Sequence, residues 1–524
     1  MSTAGDDAAT VYDQVLYPSA VFPQTHPNRL ATIAFLRGVN PARIDHCRVL
    51  ELGCGVGSNV TSMAFQLPGS EFVGFDLARR PIATGRAFIA ELGLENIALH
   101  AMDLCEATAA RFGQFDFIIA HGLYSWVPRP VRERVLGICR EMLNPQGVAY
   151  VSYNAYPGNH LRDMARGMMQ FHTSGVKDLV EKTGQARGLL KFIAESTPNP
   201  DYYVAAIRAQ YDRTAKYADE AFYHDDLNEV NQPFYFYEFN SDADRYGLRF
   251  VGEASSNELL PGKFTEHVME KMRELEGAPE FVREQYKDFI RGTAFRQTLL
   301  CHKEIALAPD LLIDRLPKLY ASCDASPEQR KVDQDQTLTT FVRPGGAELE
   351  TKHPLVCAAL KILFSNWPCE VAFEKLLTDA ACEAGMDSGS DVSETLAVAL
   401  SRAYRTGFVL LHIAPHQLTN VAGDRPSTSR LARHQLQHGE SATNQLHVAI
   451  KFPDPLSRRL IELLDGTRDR EGLTRDLVDF VRKGLGKVVE NGAPVEDLDQ
   501  VETILRRRVS EGLVSLAREG MLVS

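Results

Sequence analysis

The sequence predicts an α/β protein built on a doubly wound, Rossmann-like sheet of seven strands. A helical insertion interrupts the sheet, and a winged-helix-like α+β region follows it. Three observations predict this. Between residues 48 and 154, apolar runs of strand length alternate with segments of helical period. The first run breaks into a glycine-rich turn holding Gly53, Gly55 and Gly57. A second run ends in Asp76, nineteen residues beyond Gly57. Runs that are apolar throughout belong to parallel strands covered on both faces.

The elements follow in order. Residues 1–47 read as a lid: a polar, acidic start with the composition of disorder (1–10), an aromatic stretch (Tyr12, Tyr17, Phe22), and a helix from His26-Pro27 that Gly38 closes. Residues 48–155 form the first part of the core. Strands are expected at 48–51, 71–76, 96–104, 114–122 and 147–154, with Pro81 and Pro130 opening two of the helices between them. Residues 156–245 read as a helical, aromatic-rich insertion. Residues 246–305 complete the sheet, with strands at 247–255 and 295–303. Around Pro344-Gly345-Gly346 the pattern is a hairpin. Helices at 353–365, 370–384 and 393–406 and a strand at 407–414 make 306–420 the winged-helix-like domain. Residues 421–444, rich in Ser, Thr, Arg and Gln, read as a linker, and 445–524 as a helical domain.

Composition narrows the function. A formal net charge of −12 argues against general nucleic-acid binding, which needs a basic face. Arg506-Arg507-Arg508 is a local exception that reads as a solvated helix face. The nine cysteines are scattered with no C-x-x-C pair, as expected of a cytoplasmic protein without a zinc site. The first ten residues do not have the pattern of a signal peptide, and no stretch is long and apolar enough for membrane insertion.

In an open parallel sheet, ligands sit beyond the carboxyl ends of the strands. Glycines there let the backbone approach a ligand closely, and an acid at the tip of the second strand suits a ribose diol. Asp103, after the third strand, either accepts from a ligand amino group, with Met102 or Leu104 against the ligand's ring, or caps the following turn. Tyr153, Asn154 and Tyr156 are expected to face the same crevice, joined by Tyr235 and Tyr237 of the insertion. Asn231-Gln232-Pro233-Phe234 reads as a turn packing aromatics onto the core.

The spacing E-x-G-x-G-x-G at Glu51–Gly57 resembles the class I S-adenosylmethionine (SAM) methyltransferases. Four stretches sharpen the resemblance: YDQVLYPSAVFPQTHP (12–27), RVLELGCGVGSN (48–59), FDFIIAHGLYSWVP (115–128), and AYVSYNAYPGNH with RDMARGMMQFH (149–172). Together these look like the bacterial methyltransferases with a methyltransferase regulatory domain, which include rickettsial outer-membrane-protein lysine methyltransferases. Asn159 stands where that family usually has tryptophan. The resemblance implies SAM as cofactor and N-methylation of protein lysine, with the later domains presenting the protein. It implies cofactor contacts from Glu51, Gly53, Gly55, Gly57, Asn59, Asp76, Leu77, Met102, Asp103 and His121. The methyl-facing corner would hold His121, Tyr124, Trp126 and Tyr153, with Trp126 either a ligand contact or an anchor of its loop on the sheet, and His121 a base, a hydrogen-bond donor or a structural histidine. Methylation of a small molecule or lipid, and a non-catalytic SAM-binding regulator, are the alternatives. Oligomeric state stays open, with a dimer among the possibilities.

Overall fold

The computed structural model describes Tyr17 and residues 20–199, 201–255, 264–333, 336–387, 389–490 and 492–523. The expectations for residues 1–16, Tyr12 among them, lie outside the described residues. Seven strands form one sheet: β1 (Arg48–Leu52), β2 (Glu71–Asp76), β3 (Ile97–Ala101), β4 (Phe115–Ala120), β5 (Leu143–Asn154), β6 (Leu248–Glu253) and β7 (Phe295–His302). Their order is β3-β2-β1-β4-β5-β7-β6. The first five pair in parallel, and β7 runs antiparallel to both β5 and β6.

Alternate residues of each strand enter different cores. Val49, Phe117, Ile119, Val148 and Tyr150 face α1 (Pro27–Leu36), α2 (Ser58–Gln66) and α3 (Arg79–Leu92), where Leu30, Val60, Met63 and Ile82 meet them. Leu50, Ile118, Ala120, Ala149 and Val151 face α4 (Arg129–Met142), through Val135, Leu136 and Ile138. Both faces are dry, so the strands are apolar without alternation.

Three helices of the insertion, α5 (Asn159–His172), α6 (Leu179–Ala194) and α7 (Tyr202–Thr214), share a small core of Ala165, Met169, Ala186, Leu190 and Ile207. Buried Asp226, in the π-helical segment Tyr223–Leu227 after them, pairs with Arg162 at 2.9 Å and Arg213 at 2.6 Å. The last helix before β6, α8 (Phe236–Arg245), returns to the sheet and packs Phe239 and Ala243 into the α4 core.

Beyond the sheet, the expected hairpin is a three-stranded antiparallel unit, Ser326–Asp333, Gln336–Val342 and Glu348–Thr351. Helices Pro354–Asn366, Phe373–Ala384 and Ser390–Arg405 follow it. The stretch expected to be a linker is folded instead. Ser429 caps helix Arg430–His438, its Oγ accepting from the Ala432 amide at 3.0 Å, and strand Ser441–Thr443 comes next. The apolar stripe of that helix is only Leu431, Ala432 and Leu436, so its polar residues dominated the composition. Helices Pro455–Leu463, Arg470–Arg482 and Leu498–Arg518 complete this last domain.

Candidate cofactor and methyl-transfer site

The glycine turn leaves β1 with its amides pinned to the end of β2. Gly53 and Cys54 both donate to the Phe75 carbonyl, at 2.8 and 3.0 Å. Gly53, Gly55 and Gly57 all have positive φ (72°, 56° and 74°), which an L side chain rarely adopts. A Cβ on Gly57 would stand 2.7 Å from Leu99, whereas a Cβ on Gly55 would meet nothing within 4 Å. Gly57 therefore serves helix–sheet packing, and Gly55 opens onto a cleft of about 560 Å³.

That cleft lies at the carboxyl ends of the strands. Glu51, Gly53, Gly55, Asn59, Asp76, Leu77, Asp103, His121 and Trp126 of the expected set line it. Asp76 accepts from the Gly55 amide through Oδ2 and the Ala78 amide through Oδ1, both at 2.8 Å. Glu51 is buried. Its Oε1 accepts from Asn59 Nδ2 at 2.7 Å, while its Oε2 is buried without a hydrogen-bond partner. Burial raises the Glu51 carboxyl to about 7, against the lowering effect of the Asn59 hydrogen bond. Burial also holds the Cys54 thiol well above its usual range, so it stays protonated.

His121 faces the cleft under Phe22, ring centroids 3.8 Å apart, with Nδ1 2.9 Å from the Tyr150 hydroxyl. Burial lowers His121 to about 4, so the imidazole is neutral at neutral pH. Asp103 lines the cleft and also caps its own turn, Oδ1 accepting from the Cys105 amide at 2.8 Å.

Several expected residues lie elsewhere. Of the two residues expected against the ligand's ring, Leu104 lines the cleft and Met102, buried in the core, does not. Gly57 is not in the lining. Tyr124 and Tyr153, expected at the methyl-facing corner, are buried on the α4 side of the sheet. Tyr153 stacks on Phe239 at 4.1 Å, and Tyr124 packs edge-on to Phe239 at 5.3 Å. Phe234 joins them, its amide donating to the Asn154 carbonyl at 3.0 Å, so this segment packs its aromatic ring onto the core through a bridge to the end of β5. Tyr156 stacks on His160 and Tyr235 on Tyr237, all outside the cleft. Asn154 is buried, donating through Nδ2 to Asn231 Oδ1.

The other wall of the cleft comes partly from the segment read as a lid and partly from a segment that sequence reasoning missed. Tyr17 and Phe22 come from the N-terminal segment, and His224, Asp225 and Asn228 from the π-helical segment Tyr223–Leu227 and its end. The Tyr17 hydroxyl donates to Asp225 Oδ1 at 3.3 Å, joining those two segments. HDDLN was visible as a polar run among aromatics, but nothing local assigns it to a cleft formed by β1, β2 and β4.

The residues fit SAM. Asp76 stands where ribose hydroxyls would be accepted, Glu51 Oε2 is an unused buried acceptor for an ammonium, and Gly55 leaves the turn open. Glu51, Asp76, Asp103 and Asp225 supply carboxylates, and no lysine or arginine is among the described residues lining the cleft. Such a field favours a cationic ligand.

Comparison with known proteins supports this class. A methyltransferase domain matches residues 49–147 and a predicted methyltransferase regulatory domain residues 218–302. The chain belongs to the bacterial class I SAM-dependent methyltransferases that carry a methyltransferase regulatory domain. A PKMT C-terminal winged helix domain matches 424–521, a span that takes in the stretch expected to be a linker and the helical domain after it. An uncharacterised protein of Rickettsia prowazekii (strain Madrid E) is 28% identical, with 98% of this chain and 93% of that protein covered. A second one from that organism is 35% identical, with 46% and 96% covered. The structure of PKMT2 from Rickettsia typhi in complex with AdoHcy superposes with a TM-score of 0.87 at 28% identity, covering 97% of this chain and all of that one. The protein is thus a SAM-dependent methyltransferase. No helix among the described residues is long and apolar enough to cross a membrane.

Proposed function

We propose that the enzyme methylates the ε-amino group of lysine in a protein substrate. The observation that carries this reading is the outer half of the cleft. Tyr17, Phe22 and Trp126 line it together with Asp225, whose carboxylate accepts from the Tyr17 hydroxyl. Aromatic faces and a carboxylate together suit a cationic ammonium on a slender chain. The similarity to PKMT2, and the domains beyond the sheet, support a macromolecular substrate.

SAM, when bound, supplies a methyl group on a cationic sulfur. The residues of this chain do the rest. Asp76, Glu51 and the glycine turn orient the cofactor. Asp225 attracts the incoming ammonium, and the aromatic walls desolvate it, which favours the neutral amine that can attack. His121, neutral and held at Nδ1 by Tyr150, lines the cleft. Positioning and exclusion of water account for most of the rate such a site supplies.

The test uses purified enzyme, methyl-tritiated SAM and a cell lysate separated into protein, lipid and small-molecule fractions. Label accumulating in the protein fraction supports the reading. Label confined to lipid or small molecules overturns it.

A further inference from the structure

The C-terminal domain reaches the cofactor site through one side chain. His447 lies in the turn between strands Ser441–Thr443 and Ala449–Lys451, and it is completely buried. Its φ is 58°, and it is the only non-glycine residue with positive φ among the described residues. Strained backbone of this kind persists only where the surroundings hold it, and it concentrates at functional sites. Here the turn is held firmly. Asn444 Oδ1 accepts from the Leu446 and Val448 amides, Asn444 Nδ2 donates to the Glu519 carbonyl at 2.6 Å, and the Gln445 amide donates to the Gly520 carbonyl at 2.9 Å.

The turn grips α2 at both ends. Gln66 Nε2 donates to the Asn444 carbonyl at 2.9 Å. At the other end, His447 Nε2 lies 2.8 Å from Asn59 Oδ1. The direction of that bond follows from its neighbours. Asn59 Nδ2 faces the Glu51 carboxylate at 2.7 Å, so it must be the donating end of the amide. Oδ1 is then the acceptor, taking the Phe22 amide at 2.9 Å as well, and His447 Nε2 carries the proton. Burial keeps the imidazole neutral, and its Nδ1 has no hydrogen-bond partner.

We infer that His447 is a positioning residue for the cofactor site: by holding Asn59 Oδ1 it fixes the amide so that Nδ2 stays on Glu51, and docking of the C-terminal domain becomes a condition for tight cofactor binding. The inference rests on the cofactor lying against Glu51 and Asp76, as assigned above. Asn59 is the hub. It ties the N-terminal segment (Phe22, Thr25), the acid of the glycine turn and the last domain into one network. A domain more than 300 residues distant in sequence thereby sets the geometry of the acid on β1.

The test is calorimetric titration of full-length variants with S-adenosylhomocysteine, alongside steady-state kinetics in SAM. His447→Gly keeps the backbone conformation and deletes the donor. It is expected to weaken binding at least fivefold and to raise the KM for SAM more than it lowers kcat. Asn59→Ala is expected to weaken binding as much or more, and His447→Gly added to it should cost nothing further. His447→Asn, which tolerates positive φ but is too short to reach Asn59, serves the same comparison if the glycine variant fails to fold. Wild-type affinity in the His447 variants, or losses that simply add to that of Asn59→Ala, overturns the inference. Glu51→Gln and Asp76→Ala separate the two levels. If neither weakens binding, the cofactor placement itself is wrong. If both do and the His447 variants do not, only the role of His447 falls.

Discussion

The Gly55 amide donates to Asp76 Oδ2 across 2.8 Å, so the glycine turn after β1 and the acid at the tip of β2 form one preorganised unit. Each needs the other. The positive φ of Gly55 aims its amide at the carboxylate, and the carboxylate, accepting from Ala78 as well, cannot swing out of the cleft.

Asp76→Ala is expected to weaken S-adenosylhomocysteine binding by about 10- to 150-fold. Hydrogen bonds to a charged group contribute roughly 1.5–3 kcal/mol. Calorimetric titration checks it, and unchanged affinity removes the ribose assignment.

Glu51 makes ligand-free stability depend on pH. Its folded carboxyl titrates at about 7, above the unfolded value of 4.5. A raised acid contributes stability that is present in full below the unfolded value and is lost as pH rises through the folded one. Melting temperature of the ligand-free enzyme should therefore fall between about pH 5 and pH 8 from this source. Glu51→Gln should flatten that contribution, and an identical slope in the variant contradicts it.

Tyr124 and Trp126, two residues apart, should behave differently. Tyr124→Phe keeps the ring packed against Phe234 and Phe239 and should leave turnover intact. Tyr124→Ala should cost about 3–5 kcal/mol of stability, the usual price of emptying an aromatic site. Trp126→Ala, in the cleft wall, should lower kcat/KM for protein substrate while sparing the melting temperature. Paired melting curves and kinetics decide it.

Arg296 anchors the far edge of the sheet. Its buried guanidinium bonds Asp288, Glu253 and Glu284 at 2.9–3.1 Å and lies 3.9 Å from the centre of the Phe236 ring. Arg296→Met would leave three acids sharing a low-dielectric site, at a cost of about 3–5 kcal/mol. Denaturant unfolding measures this directly, and a stability within error of wild type would show that the carboxylates simply take up protons.

What could be read from the sequence was what lies close together along the chain. The glycine turn, Asp76 and the apolar strands announce themselves within short windows, because backbone conformation and strand-tip chemistry are local. Tyr124 misled because a loop aromatic does not reveal which face of the sheet it will join, and Tyr153 because its place in β5, in step with Ala149 and Val151, puts it on the α4 face. For Tyr124 that choice is made by Phe234 and Phe239, about a hundred residues later. The polar wall at His224–Asn228 and the His447 contact come from segments remote in sequence, and their approach is set by domain packing. Helix Arg430–His438 was missed because three apolar residues are enough to seat it, too few to outweigh its polar composition.

The methylated atom decides whether the substrate is protein lysine. Protein labelled from methyl-tritiated SAM should be hydrolysed to amino acids and chromatographed against methylated standards. The account predicts base-stable label that co-elutes with Nε-methylated lysine. Label recovered as volatile, base-labile ester, or with methylated arginine or histidine, would contradict it.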